Sequence, residues 1–365
     1  MTDAAFTLPA RYYTNGKVFR QEMESFYVHK WIRAGRADAI PNPGDYFLCD
    51  VADESIIVTR SVSGVVQAFF NVCRHRGTRL CTEPEGHFEG RIVCPYHGWS
   101  YGLDGGLLGA PQMGGDFQRD EYPLREAETS VWDGHIFLRL TPTALSLAEQ
   151  LGSLPNAFRA WKMQDLLLGH RTVYEVRANW KLMVANYNEC LHCPLVHPAL
   201  NRLTDYLGAN NEASSEHYFG GAMGFREGCQ TMNFSGERRR AYLPGLDETQ
   251  RSRVYYYAIL PNFLLSLQPD YMLVHTLWPK AVDHTQIVCE WFFHPEEIAR
   301  PGFDPSDAVE FWDLTNRQDW RICELAQAGI ASRAYTPGPY SPREELLSAF
   351  DRIVLDRERA QAGGK

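Results

Sequence analysis

Two stretches of this 365-residue chain concentrate side chains that bind metals. The first is Cys73-Arg-His75-Arg-Gly77 with Cys94-Pro-Tyr-His97-Gly98-Trp99. Each half supplies one thiolate and one imidazole. Two of each satisfy a tetrahedral zinc. They equally satisfy a two-iron, two-sulfur cluster with both thiolates on one iron and both imidazoles on the other. Exchanging two anionic thiolates for neutral imidazoles removes negative charge and raises the cluster potential to roughly −150 to +300 mV. Gly77 and Gly98 follow the ligand pairs and are expected to let backbone N–H groups approach the sulfurs. The ligand order of a zinc finger is absent, which favours iron, but spacing alone leaves zinc open.

The second stretch runs Asn179-Trp-Lys-Leu-Met-Val-Ala-Asn186-Tyr187-Asn-Glu189-Cys190-Leu-His192-Cys193-Pro194-Leu-Val-His197. Two histidines with one carboxylate make the facial triad that holds Fe(II) and leaves positions open for dioxygen and substrate. A helix is predicted over 179–193, with Glu189 and His192 on one face and Pro194 ending it, so that His197 returns toward His192. A second predicted helix, 309–328, offers Asp313 and Asp319. They point to different faces; Asp319 shares the apolar stripe of Trp312, Thr315 and Cys323, whereas Asp313 is expected to stay solvated. Cys190 and Cys193 invite a redox reading, which needs an exposed thiolate at a helix N-terminus. The predicted helix places them at its C-terminal end, so both are read as packing residues.

These side chains need a scaffold. Residues 17–32 space Phe19, Met23, Phe26 and Tyr27 at helical intervals. From about 45 to 140 the pattern is of short strands, clearest at 55–60, 65–70, 91–94 and 135–140, separated by turn residues. Later segments at 145–151 and 157–167 read as helical, while 254–260, 263–268, 271–277 and 286–293 read as strands. Strands followed by helices without βαβ alternation imply an α+β protein. Composition excludes other classes: 44% hydrophobic residues, 13% aromatic and a net charge of −9 argue against disorder and against nucleic-acid binding. No basic-then-apolar leader and no apolar run of spanning length appear, which leads to the expectation of a cytoplasmic protein free of membranes.

The two cysteine–histidine pairs, the Glu189–His197 stretch, Leu8-Pro-Ala-Arg-Tyr-Tyr, Pro43-Gly44-Asp45-Tyr46 and Gly109-Ala-Pro-Gln112-Met together resemble the large (alpha) subunit of Rieske non-haem iron oxygenases. The resemblance covers nearly the whole chain. It implies an N-terminal helical segment (1–40) packing on the catalytic domain, an all-β Rieske [2Fe–2S] domain (41–141), and a helix-grip catalytic domain of antiparallel sheet and helices (142–365). Cys73, His75, Cys94 and His97 become the cluster ligands. His192, His197 and Asp319 become the Fe(II) ligands; the resemblance decides for Asp319 over Asp313. Glu189 takes the place of an acidic residue that bridges the two centres for electron transfer between neighbouring subunits of a homotrimer, with Asn186 beside it among the catalytic candidates. Most relatives carry Asp there, and Glu resembles a subgroup acting on quaternary ammonium compounds such as carnitine, choline or betaines.

Substrate-pocket candidates are Tyr187, Phe263, Tyr271, His275, Trp291 and Trp312, which suit an aromatic cage for a trimethylammonium group or the walls for an arene. The implied function is a mono- or dioxygenase fed by a separate flavin and iron–sulfur reductase that uses NAD(P)H, since no dinucleotide-binding glycine motif is found in this chain. Arg74, Arg76 and Arg79 offer that reductase a basic face. N-demethylation or C–N oxidation of a quaternary amine is favoured over aromatic ring hydroxylation or dihydroxylation, as in aromatic hydrocarbon catabolism. A Rieske electron carrier with a non-catalytic binding domain and a zinc-stabilised ligand-binding protein are the remaining alternatives.

Overall fold

The computed structural model describes residues 6–363. The chain forms two compact units: one of residues 27–147, and one built from the first 26 residues together with 148–365. The sequence reading cuts at 40/41 and 141/142. The earlier start of the inserted unit has a simple cause, because strand β1 (Ile32–Arg36) pairs antiparallel with β10 (His135–Arg139) and so draws both ends of the insert into one sheet.

Between them the insert carries β2 (Asp45–Val51), β3 (Glu54–Arg60), β4 (Val66–Phe70), β5 (Glu85–His87), β6 (Arg91–Val93), β7 (Ser100–Gly102), β8 (Leu107–Gly109) and β9 (Glu126–Trp132). Seven strands form a sheet of order β1-β10-β9-β4-β3-β2-β5, and β6-β7-β8 form a small second sheet. Cys73, Cys94, Trp99 and Tyr101 belong to the same buried cluster as Ile57, Phe69 and Ile92. Asn71 anchors the approach to Cys73: its fully buried amide accepts from Leu80 N–H at 2.9 Å and donates to the Cys81 carbonyl at 2.7 Å.

The second unit is an antiparallel sheet of order β11-β17-β16-β15-β14-β13-β12. Its strands are β11 (Leu167–Val176), β12 (Asn210–Ser214), β13 (Tyr218–Gly224), β14 (Arg253–Ile259), β15 (Phe263–Leu267), β16 (Met272–Ala281) and β17 (His284–Phe293). Helices Trp180–Tyr187 and Ser306–Ile330 pack against it, and Glu345–Gly363 is the last helix. The α+β class is therefore the observed one. A buried ion pair ties the first residues of the chain to the rest of this unit: Lys181 Nζ donates to Glu22 Oε2 at 2.7 Å and to Asn179 Oδ1 at 2.8 Å. Gln327 adds two bonds, accepting from Asn179 N–H at 3.0 Å and donating to the Tyr13 carbonyl at 3.0 Å.

Three predicted helices differ. The segment 17–32 is helical over Gly16–Glu22, continues as one wider π-type turn over Met23–Val28, and then gives way to β1. Residues 157–167 hold only the end of a short helix (Leu154–Phe158) and two 3₁₀ turns, because Lys162 takes a left-handed φ of 44° that interrupts the ladder. The helix over 179–193 stops at Tyr187. Among the described residues no helix is long and apolar enough to cross a membrane.

Candidate metal centres

In the unit of residues 27–147 the two cysteine–histidine pairs lie on matching loops. Cys73 N–H donates to Thr78 O at 2.8 Å and Gly77 N–H to Cys73 O at 3.0 Å; Cys94 N–H donates to Trp99 O at 2.8 Å and Gly98 N–H to Cys94 O at 3.1 Å. Gly77 and Gly98 close these turns at φ 75° and 71°, where a Cβ brings strain. Their N–H groups are thereby committed to cysteine carbonyls. These glycines shape the loops, and the expected approach of a backbone donor to sulfur is seen at His75, whose N–H bonds Cys73 Sγ; a tyrosine reaches the same sulfur. Tyr101 Oη lies 3.3 Å from Cys73 Sγ and accepts from Arg74 N–H at 3.0 Å. Only the alternation of a three-residue strand could have pointed to Tyr101.

The donors fit a metal cluster. Cys73 and Cys94 are each 2% exposed, and burial pushes the Cys73 thiol up, with Cys94 beside it adding to the rise. The His75 and His97 rings are 4.7 Å apart, and His75 stacks on Trp99 at 4.8 Å. His75 Nδ1 is buried without a hydrogen-bond partner. Paired buried thiols beside an unsatisfied imidazole nitrogen are costly as a bare protein and are satisfied by a bound cluster.

The second unit assembles His192, His197 and Asp319, whose donor atoms all lie within 4.8 Å of one another. Both Nε2 atoms converge on Asp319 Oδ1, His197 at 2.7 Å and His192 at 3.3 Å. Each ring is fixed from behind by its other nitrogen: His192 Nδ1 meets Glu189 Oε1 at 2.5 Å, and His197 Nδ1 meets Gln318 Oε1 at 2.8 Å. Nδ1 held by an acceptor leaves Nε2 free to ligate, which is how a metal-binding histidine is oriented. Gln318 was not among the candidates; its place next to Asp319 on an exposed-to-buried helix boundary was the only hint. Burial opposes protonation of His192, but hydrogen bonds to Asp319 and Glu189 outweigh it and push its pKa up to about 9. Burial raises Asp319, yet the two imidazoles hold it below the ordinary carboxylate range. Such mutual charge stabilisation is what a cation between the three would supply.

Local structure here corrects three expectations. After Tyr187 the chain leaves the helix, and Asn188 closes its end by donating from Nδ2 to the Val184 carbonyl at 2.6 Å. Glu189 therefore reaches His192 across a turn, with its other oxygen accepting from Leu191 N–H. Pro194 starts the short helix Cys193–Val196 rather than ending one, since proline is tolerated in a first helical turn. Cys190 and Cys193 are joined as a disulfide with Cα atoms 5.0 Å apart, not independent packing residues. The turn at 188–192 brings them together.

Around the triad, Tyr187 meets the rings of Tyr256 at 5.9 Å and His275 at 6.2 Å, and donor or acceptor Ser266 Oγ lies 2.7 Å from its hydroxyl. Tyr256 meets Trp312 at 6.3 Å, and Trp312 Nε1 donates to Tyr271 Oη at 2.7 Å. Trp291 packs on His170 at 5.4 Å. Phe263 is different: His275 pairs with Leu264, so the pleat sends Phe263 to the opposite face of the sheet, and it drops out of the set. Asn186 sits half-buried in the last turn of its helix. Tyr256, fully unpartnered at its buried hydroxyl, joins the set from the structure. Burial, outweighing the opposing effects of the Asn316 hydrogen bond and the Asp319 charge, brings His275 down to about 4, a neutral ring. Beside Glu189 opens a cavity of about 380 Å³ lined by Tyr187, Tyr206, Tyr256, Arg343 and Glu345.

The profile of the ring hydroxylating alpha subunit (catalytic domain) matches residues 163–359, and that of the Rieske [2Fe-2S] domain matches 30–125. The glycine betaine monooxygenase oxygenase subunit of Pseudomonas aeruginosa is 31% identical over 94% of this chain and 87% of its own. The carnitine monooxygenase oxygenase subunit of Escherichia coli is 28% identical over 91% of this chain and 86% of its own. The crystal structure of the quaternary ammonium Rieske monooxygenase CntA with L-carnitine shares the fold, with a TM-score of 0.82 at 24% identity over 97% of this chain and 96% of that one. A catalytic-domain match over the assembled triad removes the electron-carrier alternative. The chain belongs to the alpha subunits of Rieske non-haem iron oxygenases, enzymes that work with a [2Fe–2S] cluster and a mononuclear iron.

Proposed function

We propose that this oxygenase acts on a small quaternary ammonium compound, inserting one oxygen atom of O2 into a C–H bond next to nitrogen and reducing the other to water with two electrons and two protons. Hydroxylation of an N-methyl carbon gives a carbinolamine that releases formaldehyde and the demethylated amine. The observation that carries this reading is the cavity beside Glu189. Its tyrosine faces and its two carboxylates, Glu189 and Glu345, set against the single Arg343, suit a cation. An uncharged arene would use the same rings but gain nothing from the acids. The relatives named above act on glycine betaine and carnitine, which agrees with this choice.

Cys73, His75, Cys94 and His97 hold the cluster, and His192, His197 and Asp319 hold the iron. When bound, the iron would supply the chemistry that activates dioxygen, with the cluster as its source of electrons. Glu189 and Gln318 fix the ring orientation of the two histidine ligands, so Nε2 of each stays directed at the metal position. Tyr187, Tyr206 and Tyr256 line the cavity, exclude water and present ring faces to the substrate's cationic head. Glu189 also accepts from a cluster histidine of a neighbouring subunit in a homotrimer, and a separate NAD(P)H-dependent reductase supplies the electrons. The experiment is oxygen uptake with a surrogate reductase, screening betaines, carnitine, choline and aromatic acids in parallel. Stoichiometric formaldehyde with a quaternary amine is expected; coupling to aromatic acids alone defeats the substrate assignment.

A further inference from the structure

A chain of hydrogen bonds leads from the protein surface, at Arg317 and Asp313, to the buried His275. Asp313 accepts from Arg317 Nε at 2.8 Å through Oδ2 and from Tyr174 Oη at 2.8 Å through Oδ1. Tyr174 Oη in turn lies 3.4 Å from Asn316 Nδ2, and Asn316 Oδ1 lies 3.0 Å from His275 Nε2. Asn316 Nδ2 also reaches Cys289 Sγ at 3.5 Å. Among the described residues His275 Nδ1 is buried with no hydrogen-bond partner, in a ring flanked by Tyr187 and Trp320.

The direction of every bond follows from its first member. A carboxylate only accepts, so the Tyr174 hydroxyl must donate outward to Asp313. Its oxygen is then free to accept from the Asn316 amide N–H, which turns the amide oxygen toward His275. That oxygen accepts, so Nε2 of the neutral imidazole carries the hydrogen, and Nδ1 is left as a bare lone pair. A buried acceptor with no donor costs stability and asks for a partner.

We propose that Asp313, Tyr174 and Asn316 are positioning residues that fix His275 as the Nε2–H tautomer, so that Nδ1 accepts a hydrogen bond from a hydroxyl group on the substrate. The ligand class rests on the quaternary ammonium reading above; the tautomer does not. The enzyme thereby favours hydroxylated quaternary amines over otherwise identical compounds that lack the hydroxyl, by about five- to tenfold in kcat/KM for one such bond.

Asp313→Asn tests the direction. Arg317 draws the new amide oxygen to itself, which leaves the NH2 facing Tyr174. The Tyr174 hydroxyl must then turn inward, the Asn316 amide flips, and the hydrogen on His275 moves to Nδ1. Solid-state 15N NMR of [15N]histidine-labelled protein reads this directly, with the His275→Gln variant identifying the signal. Nε2–H is expected in the native enzyme and in Asp313→Glu, Nδ1–H in Asp313→Asn, and a mixture in Tyr174→Phe. Cluster absorbance reports that each variant is folded. Turnover of the matched pairs L-carnitine with γ-butyrobetaine and choline with ethyltrimethylammonium gives the second reading. The preference for the hydroxylated member is expected in the native enzyme and Asp313→Glu and is lost in Asp313→Asn. A native Nδ1–H tautomer, one unmoved by Asp313→Asn, or no hydroxyl preference overturns the proposal. Turnover of neither pair alongside the expected 15N signals defeats the substrate reading and its hydroxyl partner while leaving the tautomer lock standing.

Discussion

At the level of single residues, the second nitrogen of each ligand histidine decides how well the iron is held. Gln318→Leu removes the acceptor behind His197 and leaves its ring free to turn; iron affinity is expected to fall by about 10- to 100-fold, with the cluster spectrum unchanged, as metal analysis of the purified protein will show. Tyr101→Phe deletes the hydroxyl next to Cys73 Sγ and is expected to move the cluster midpoint to a more negative value in a redox titration. The candidate ligands could be named from the sequence because cysteine, histidine and aspartate in such patterns have few other uses, and the structure brings His192, His197 and Asp319 together. Gln318, Tyr101 and Asn71 were not, because amides and phenols serve everywhere and only their neighbours in space reveal the task. The disulfide between Cys190 and Cys193 escaped for a related reason: it depends on where a helix ends, and Asn188, not Pro194, ends it.

Among elements, the most exposed to failure is the buried ion pair between the N-terminal helix and helix Trp180–Tyr187. Lys181→Met leaves Glu22 charged or protonated in the interior without its partner, and is expected to cost about 3–5 kcal/mol in thermal or chemical unfolding; adding Glu22→Gln recovers most of that loss. On the last helix, burial pushes Asp351 up to about 6, opposed by its bond from Tyr340 Oη. The folded state therefore holds this proton more tightly than the unfolded chain does. The resulting stability is fully present below pH about 4 and lost as pH rises through about 6. Asp351→Asn is expected to flatten the decline between pH 4 and pH 7.5 by about 1–3 kcal/mol, read from melts of both proteins at matched pH. Long, strongly patterned elements, such as β14 to β17 and helix Ser306–Ile330, were visible in the sequence within a few residues. β13 was not, since glycines at 220 and 221, required by the close approach of Tyr256 O and Asn210 O, break the usual strand pattern; β11, β12 and the C-terminal helix were also not read from the sequence.

On the scale of the whole molecule, the iron–sulfur unit is an insertion whose ends are sewn together by β1 and β10. A fragment of residues 27–147 is accordingly expected to fold alone and take up its cluster, giving the visible spectrum of the intact enzyme, whereas 148–365 without the first 26 residues is expected to precipitate for want of Glu22 and Tyr13. That the domain order could be read from motifs, but the seam could not, follows from the seam being a strand pairing between distant residues. The split also sets a timetable during synthesis. Glu22 leaves the ribosome 159 residues ahead of Lys181, which at about 5–20 residues per second is a wait of roughly 8–30 s. Through that interval the first helix has no docking surface while the iron–sulfur module emerges and closes behind it, so the nascent chain matures from the middle outward and its opening segment is among the last to settle.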